Sequence, residues 1–212
     1  MRLGIFGGTF DPIHRGHVDS VRAVRRALEL DRVLILPTAN PPHKLGPRSA
    51  SALQRFAMAE LALLDEPELT VSSLEMAGSE TSYTVDTLHE LRGDHPDDQL
   101  FLIVGADSFV QLSTWRRWTR ILEQVELAVM VRPGWSLREH ERSLPAEQRR
   151  AIEAGRVHLV ENPPIDLSAS QIRVKLRDGT SSPLDAINPR VLRYIEKYGL
   201  YRGGPKPIDR VR

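Results

Sequence analysis

Short, nearly continuous apolar segments alternate with longer amphipathic segments along this chain, and this alternation limits the folds open to it. Apolar runs that lack a polar residue at every second position are typical of strands buried on both faces, as in a parallel sheet. The segments between them have apolar residues at helical spacing, and parallel strands need such crossover helices. We therefore predict strands at residues 3–6, 32–36, 69–74, 100–104, 127–131 and 157–160.

The intervening segments predict helices, and the two kinds of element together predict one α/β domain. Helices are expected at residues 17–30, 51–64, 84–92, 118–124, 137–153 (interrupted near Pro145), 168–177 and 189–197. The expected fold is an open parallel sheet with helices on both faces and a small C-terminal helical extension. We expect the domain to span residues 1–202 and residues 203–212 to be a disordered tail.

Composition and charge exclude several classes of function. The sequence of 212 residues has no cysteine, which excludes disulfide scaffolds, thiolate zinc sites and a cysteine nucleophile. A formal net charge of +1 argues against a general nucleic-acid-binding protein or a polybasic membrane adaptor. The apolar runs are too short to cross a bilayer, and the N-terminal residues lack the pattern of a signal peptide. We expect a soluble cytoplasmic protein that binds neither nucleic acid nor membrane, with homo-oligomer formation left open.

The segment from Gly7 to His17, Gly-Gly-Thr-Phe-Asp-Pro-Ile-His-Arg-Gly-His, follows the first strand and opens the first helix. Open α/β sheets bind phosphate groups at this position, although the segment is neither a Walker A loop nor a G-x-G-x-x-G fingerprint. Paired glycines allow a close approach between backbone and ligand, and His14 and His17 are spaced so that both could project to one side. A pair of imidazolium groups there would suit a polyphosphate whose negative charge grows in the transition state.

Two other interpretations of this segment remain open from the residues alone. Gly7 and Gly8 are also what a tight turn between a strand and a helix requires. His14 and His17, together with Asp11, are residue types that bind metal ions, although neither a cysteine nor a carboxylate cluster lies nearby in the sequence.

The segment around Ser168 predicts a helix start that could also bind an anion. Ser168 and Ser170 are residue types that cap helices, and they precede an amphipathic stretch at residues 172–176. A helix N-terminus attracts anions, and Arg173 on the first turn adds a planar donor that matches phosphate oxygens. The residues alone therefore support both a capped helix and a phosphate site.

Four more residues have an ordinary structural interpretation. Thr84 and Asp107 are typical of helix N-caps, and Trp115 is typical of a core residue near a helix. Lys44 is either a solvated charge or, because its loop follows the carboxyl end of a strand, a ligand for a substrate phosphate.

The segment at residues 7–17 resembles the signature of the HxGH nucleotidyltransferase superfamily, and more narrowly that of the bacterial nicotinate-nucleotide adenylyltransferases. Further similar segments cover nearly the whole chain, namely Asn-Pro-Pro-His-Lys at 40–44, Ser-Tyr-Thr-Val-Asp-Thr-Leu at 82–88, Gly-Ala-Asp-Ser at 105–108, Trp115 with 118–122, Arg-Pro-Gly at 132–134, Leu-Ser-Ala-Ser-Gln-Ile-Arg at 167–173 and Tyr-Gly-Leu-Tyr-Arg at 198–202. The late motif of the family is usually I-S-S-T-x-I-R. Here Leu167, Ala169 and Ser170 replace its first, third and fourth residues, so that two of three hydroxyl groups remain.

The resemblance implies a Rossmann-like fold and adenylyl transfer from ATP to nicotinate mononucleotide, which gives nicotinate adenine dinucleotide (deamido-NAD) and pyrophosphate in NAD biosynthesis. It implies in-line attack without a covalent enzyme intermediate, with Mg²⁺ carried by ATP rather than held by a protein metal site. The catalytic residues that it implies are His14, His17 and Arg173. For ATP binding it implies Gly7, Gly8, Thr9, Phe10, His14, His17, Gly105, Asp107, Ser168, Ser170 and Arg173. For nicotinate mononucleotide it implies Lys44, Thr84, Trp115 and Arg116.

The resemblance also implies roles within this site. Trp115 stacks on the pyridine ring, backbone N–H groups near Thr84 and Arg116 donate to the nicotinate carboxylate, and Asp107 binds ribose hydroxyls of the adenosine. Such donors prefer a carboxylate to a neutral carboxamide.

Three alternatives to this function remain. The first keeps the chemistry but uses another acceptor, nicotinamide mononucleotide or phosphopantetheine, and the segments around Thr84 and Trp115 argue against the latter. The second is a non-catalytic nucleotide-binding module, against which the presence of His14, His17 and Arg173 argues. The third is a metal-dependent hydrolase built on Asp11 and the two histidines.

Overall fold

A computed structural model describes residues 1–40, 49–76, 82–162, 168–178 and 186–202. Six strands form a single sheet in the order β3-β2-β1-β4-β5-β6, and every pair of neighbouring strands is parallel. The strands are β1 (Arg2–Gly8), β2 (Arg32–Pro37), β3 (Leu69–Val71), β4 (Gln99–Gly105), β5 (Glu126–Val131) and β6 (Val157–Glu161). All six predicted strands are present, which confirms the α/β class and the parallel sheet.

The helices between the strands are also close to the predicted ones. They are α1 (Arg15–Ala27), α2 (Ala52–Leu63), α3 (Thr84–Asp94), α4 (Ala106–Val110), α5 (Trp118–Gln124), α6 (Leu137–Glu141), α7 (Ala146–Glu153), α8 (Ala169–Asp178) and α9 (Pro189–Lys197). Pro145 separates α6 from α7, as the sequence predicted. Among the differences, α1 spans Arg15–Ala27 rather than residues 17–30, β3 ends at Val71 before a short 3₁₀ turn, and α4 was not predicted.

The core consists of two apolar clusters, one on each face of the sheet. In β4, Leu100, Leu102 and Val104 belong to the cluster that includes the buried residues of α3 and α5. Phe101 and Ile103, which point to the opposite face, belong to the cluster that includes those of α1, α2 and α9. Burial on both faces explains why the central strands are continuous apolar runs.

The direction in which the strands are added changes between β1 and β4. From β1 the chain adds β2 and β3 on one side, and it then returns to add β4, β5 and β6 on the other. In open α/β sheets a crevice forms at the carboxyl ends of the strands at such a reversal. The loops after β1 and β4 are therefore the expected location of a ligand site.

The C-terminal helical extension is packed into the core rather than appended to it. α9 lies against α2, where the Asn188 side chain donates to the carbonyl of Ala62 at 3.3 Å. After α9, Leu200 and Tyr201 are buried in the same cluster as α1 and α2. Residues 203–212 lie outside the described residues, so their disorder stays a prediction. Among the described helices, none has the length and apolar character needed to cross a membrane.

Candidate active site

Gly7 and Gly8 are the last two residues of β1, and the atoms around them differ. A Cβ on Gly8 would lie 2.8–3.2 Å from ring atoms of Phe10, which is too close for an unchanged Phe10. A Cβ on Gly7 would meet no atom within 4 Å, so this side of the strand end is open. The tight-turn interpretation is wrong, since both residues belong to the strand and neither has a positive φ.

The rings of His14 and His17 lie together at the start of α1. Their centroids are 3.7 Å apart, and Nδ1 of His17 accepts a hydrogen bond from the backbone N–H of His14 at 3.2 Å. The edge-to-face contact of Phe10 with His17, at 5.1 Å between centroids, holds the second ring in place. His14 is only 6% exposed, and its Nδ1 atom is buried without a hydrogen-bond partner among the described residues.

Burial makes both histidines neutral in the free protein. It lowers the pKa of His14 to about 4. It also lowers the pKa of His17 to about 3, with a smaller contribution from the neighbouring His14. The imidazolium pair expected opposite a polyphosphate therefore stays a prediction for the ligand-bound site, since both rings are neutral in the free protein at pH 7. Because Nδ1 of His17 is an acceptor, the proton of the neutral ring is assigned to Nε2.

Arg173 reaches from α8 to the loop between β1 and α1. Its Nη1 donates to the carbonyl oxygen of Asp11 at 2.6 Å, and its Nη2 donates to Oγ of Ser170 at 3.0 Å. These bonds use two of the five N–H donors of a guanidinium, and the described residues offer no hydrogen bond to the other three. The structure thus brings the late motif and the first loop into contact.

The capped-helix interpretation of the late motif is confirmed. Oγ of Ser168 accepts from the N–H of Gln171 at 3.2 Å, and the Gln171 side chain accepts from the N–H of Ser168 at 2.8 Å. This reciprocal pair is a capping box, with α8 beginning at Ala169. Ser170 lies inside the first turn and orients Arg173 instead of capping the helix.

Asp11 is buried, at 3% exposure, and its carboxylate is oriented by three other segments. Its Oδ1 accepts from the N–H of Ala50 at 3.0 Å and from the hydroxyl of Tyr201 at 2.7 Å. Its Oδ2 lies 3.7 Å from Nη1 of Arg173. Burial and Asp11 raise the pKa of Tyr201, so this residue stays a neutral donor.

These contacts do not support the metal interpretation. The Asp11 carboxylate contacts Ala50, Tyr201 and Arg173, and no hydrogen bond or ion pair between described residues joins it to His14 or His17. The part of the chain that the structure describes contains no group of three or more His, Cys, Asp or Glu side chains that could hold a metal ion.

Arg55 is a buried charged residue at this site that the sequence analysis missed. Its side chain is 0% exposed, and its guanidinium donates to the carbonyls of Thr9 at 2.6 Å, Thr38 at 2.7 Å and Ala39 at 3.1 Å. The apolar pattern of α2 makes Leu53 a core candidate, whereas Leu53 is 74% exposed. The sequence did contain a signal for the burial of Arg55, because helical spacing places it on the same face as Met58 and Ala59, which are apolar and buried.

A second group of candidate residues lies where α3 begins. The N-cap of α3 is Tyr83, so the N-cap interpretation of Thr84 is wrong. The guanidinium of Arg116 stacks on the Tyr83 ring at 4.5 Å and lies 4.0 Å from the Asp86 carboxylate, so Arg116 is next to Thr84 at the start of α3. Trp115 is half-buried and packs partly against the core, consistent with its structural interpretation. No hydrogen bond, ion pair or ring contact between described residues joins Trp115 or Arg116 to the histidine pair or to Arg173.

The remaining candidates lie at the end of β4 or outside the described residues. Gly105 is the last residue of β4 and the N-cap of α4, and a Cβ there would meet no atom within 4 Å. Asp107 is exposed in the first turn of α4. The N-cap interpretation of Asp107 is therefore wrong, because Gly105 occupies that position. Lys44 lies outside the described residues.

The chain is similar to known proteins along nearly its whole length. Residues 5–175 match the family described as cytidylyltransferase-like. A protein of Shewanella sp. (strain ANA-3) named "Probable nicotinate-nucleotide adenylyltransferase" is 39% identical over 212 residues, which cover 95% of this chain and 99% of that protein. A protein of Neisseria meningitidis serogroup A with the same name is 38% identical over 200 residues, which cover 94% of this chain and 98% of that protein.

Solved structures show the same fold. A Plasmodium falciparum nicotinic acid mononucleotide adenylyltransferase in complex with NaAD superposes with a TM-score of 0.73 at 19% identity, and the match covers 94% of this chain and 97% of that chain. The same Plasmodium enzyme in complex with APC also superposes with a TM-score of 0.73, at 17% identity.

Proposed function

Because the chain belongs to the cytidylyltransferase-like family and, within it, to the nicotinate-nucleotide adenylyltransferases, we propose that it transfers the adenylyl group of ATP to nicotinate mononucleotide. The products are nicotinate adenine dinucleotide and pyrophosphate, and the reaction is a step of NAD biosynthesis. One structural observation carries the proposal: Arg173 contacts the loop that holds His14 and His17. Donors from opposite ends of the chain thereby meet at the reversal point of the sheet, where a polyphosphate would bind.

The proposed reaction is a direct displacement at phosphorus. A phosphate oxygen of the mononucleotide attacks the α-phosphorus of ATP, in line with the leaving group. The new P–O bond forms as the bond from the α-phosphorus to the bridging oxygen breaks, and pyrophosphate leaves with that electron pair. The protein contributes by positioning both substrates and by stabilising negative charge on the phosphates.

In this proposal His14 and His17 act first as neutral hydrogen-bond donors. The Nε2–H of His17 is available for a phosphate oxygen because Nδ1 already accepts from the backbone. A bound polyphosphate raises the pKa of both rings, since its negative charge favours the imidazolium form. ATP binding is therefore expected to raise the pH at which the two rings take up protons.

Arg173 and the start of α8 form the opposite wall for the β- and γ-phosphates. Support comes from the three Arg173 donors that no described residue accepts and from the capped N-terminus of α8, whose partial positive charge favours anions. Ser168, Ser170 and the segment from Gly7 to Phe10 complete the proposed phosphate contacts, and Gly105 and Asp107 are assigned to the adenosine. Mg²⁺ arrives as part of the ATP substrate, where phosphate oxygens and water supply its ligands.

The acceptor side of the proposed site is formed by Thr84, Trp115, Arg116 and Lys44. The proximity of Arg116 to the N-terminus of α3 supports an assignment of backbone donors there to the nicotinate carboxylate. The half-buried Trp115 keeps part of its surface for stacking on the pyridine ring. Lys44 is assigned to the mononucleotide phosphate.

The proposal also includes the cellular location of the protein and the molecules that it binds. We assign the protein to the cytoplasm, with ATP and the mononucleotide as its substrates and without a nucleic-acid partner. A sequence without cysteine is compatible with a reducing compartment.

The test is a product analysis with two candidate acceptors, nicotinate mononucleotide and nicotinamide mononucleotide. The purified protein is incubated with ATP, Mg²⁺ and either nicotinate or nicotinamide mononucleotide, and the dinucleotide and pyrophosphate are quantified. A His14→Ala/His17→Ala double variant purified in the same way controls for contaminating activity. We expect nicotinate adenine dinucleotide as the main product. A preference for nicotinamide mononucleotide would replace the proposed acceptor, and ATP binding without pyrophosphate release would indicate a non-catalytic module.

A further inference from the structure

Arg55 is one of the largest fully buried side chains among the described residues, and packing alone does not explain a charged residue there. An arginine in the interior of α2 is unfavourable unless its donors are paired, whereas an aliphatic residue would fill the same space without that cost. The structure pairs Nη1 and Nη2 of the guanidinium with the carbonyl oxygens of Thr9, Thr38 and Ala39, whereas Nε is buried without a hydrogen-bond partner among the described residues. Because backbone carbonyl oxygens accept these hydrogen bonds, the Arg55 side chain constrains the positions of the backbone segments that carry them.

The three carbonyls belong to two different loops. Thr9 follows β1 directly and begins the loop that contains the histidine pair, whereas Thr38 and Ala39 follow β2. β1 and β2 are parallel neighbours with Gly8 opposite Pro37, so both loops leave the sheet at the same edge. One backbone hydrogen bond, from Thr38 N–H to the Gly8 carbonyl at 2.9 Å, joins them at the sheet. Beyond that point, Arg55 continues the connection.

A buried carboxylate favours the charged form of Arg55. Burial lowers the pKa of the guanidinium, whereas the nearby Asp11 raises it. Asp11 is itself held by Ala50 and Tyr201, so the two opposite charges occupy fixed positions inside the protein. A permanently charged planar group is thus available to hold both loops.

We propose that Arg55 is a positioning residue that sets the separation between Thr9, at the start of the β1–α1 loop, and Thr38 and Ala39, the first residues after β2. The inference rests on the proposed function, in which the first loop binds ATP and the second leads to Lys44 and the acceptor phosphate. A guanidinium carries donors on separate nitrogens and can hold both loops at once, whereas the donors of a lysine share one nitrogen. Arg55 therefore keeps the attacking phosphate and the α-phosphorus at reacting distance without touching either.

The chain provides a matched control in Arg92 of α3. The Arg92 guanidinium also joins two segments through carbonyls, those of Asp98 at 2.7 Å and Gln124 at 2.8 Å. Asp98 precedes β4, so Arg92 acts at the amino-terminal edge of the sheet, opposite to the site. Arg55→Lys and Arg92→Lys are thus the same chemical change at opposite edges.

The experiment measures kcat, the KM of each substrate and the denaturant midpoint for wild type and both variants. We expect both variants to unfold at lower denaturant concentration. Only Arg55→Lys should lower kcat, by about 10- to 100-fold, because a displacement of order 1 Å between reacting groups has effects of that size. The KM of each substrate alone should change less, since each loop still binds its own ligand.

The possible results distinguish a failure of the positioning role of Arg55 from a failure of the proposed function. If the wild type forms no dinucleotide, the proposed function itself is wrong. If the wild type is active and Arg55→Lys retains the kcat of Arg92→Lys, Arg55 is structural only and the positioning role is overturned. Should Arg55→Lys fail to fold, Arg55→Gln, which keeps an amide donor for one loop and removes the buried charge, is measured in the same way. Wild-type kcat in a folded Arg55→Gln variant would likewise overturn the proposal.

Discussion

The guanidinium of Arg173 donates a hydrogen bond to the backbone carbonyl of Asp11 at 2.6 Å, across 162 residues of sequence. The carboxylate of the same Asp11 accepts from Tyr201, which lies near the end of the described chain. The first loop is therefore held in shape by residues from the last quarter of the molecule. Phosphate-binding groups from both ends of the chain can act on one ligand only because of these contacts.

Arg173→Lys is expected to lower kcat by about 100-fold, similar to the loss of one transition-state donor. A lysine keeps the positive charge but cannot bond the Asp11 carbonyl, Ser170 and a phosphate from separate nitrogens. Arg177→Lys is the control, because Arg177 lies one turn later on α8 and pairs with Asp178 at the surface. Steady-state kinetics check the prediction, and equal kcat values for the two variants would contradict the assigned role.

His17→Ala is expected to lower turnover by about 10²–10³, because it removes a donor aimed at the phosphates. The exposed His89 on α3 provides the control variant His89→Ala, which should turn over at the wild-type rate. Rates are measured at saturating ATP and mononucleotide. Near-normal turnover of His17→Ala would remove this residue from the mechanism.

Stability is expected to fall in acid because of the buried histidines. Their folded-state pKa values, about 4 for His14 and about 3 for His17, lie below the ordinary value of 6.5. Between these values the unfolded chain binds more protons than the folded chain, so stability is lost as pH falls from 6.5 toward 4. For His14 the difference corresponds to about 3 kcal/mol.

Denaturant unfolding at a series of pH values checks this prediction. His14→Asn should have a shallower decrease of stability between pH 6.5 and 4 than the wild type, whatever its stability at pH 8. Parallel curves for the two proteins would show that His14 does not titrate as its burial implies.

Gly8→Ala is expected to destabilise the protein by about 1–3 kcal/mol, the usual effect of overpacking. The new methyl group would lie 2.8–3.2 Å from Phe10, whose ring also contacts His17. Gly7→Ala is the matched control, since its methyl group would meet no atom within 4 Å. The free energy of unfolding of both variants is compared with the wild type, and equal values for the two would contradict the steric argument.

Local sequence patterns were sufficient to predict the strands and helices that are stabilised by interactions between residues close in the sequence. Continuous apolar runs such as residues 100–104 predicted β4 because a strand buried on both faces needs apolar side chains on both. Ser168 and the amphipathic stretch after it predicted α8 because a cap acts within one turn. The three-residue spacing of His14 and His17 placed both rings at one helix start.

Sequence patterns did not predict the features that depend on a partner distant in the sequence or on a detail of the backbone geometry. Arg55 occupies a core position that looks unsuitable for a charge, and only the carbonyls of Thr9, Thr38 and Ala39 make it favourable. The tight turn expected for Gly7 and Gly8 was wrong because the strand continues through both. The N-cap interpretation of Asp107 was wrong because Gly105 is the N-cap of α4.

The sequence by itself determined the parallel α/β sheet, the position of the loop after β1 and the residue types that point to phosphate chemistry. Only the tertiary structure decided that Arg173, Asp11 and Tyr201 meet, that Arg55 joins two loops, and that the histidine pair is neutral. The physical reason is that hydrophobic periodicity and caps act over one or two turns of chain. Hydrogen bonds across 162 residues, and the loss of solvent that lowers a histidine pKa, depend on what folding brings around each group.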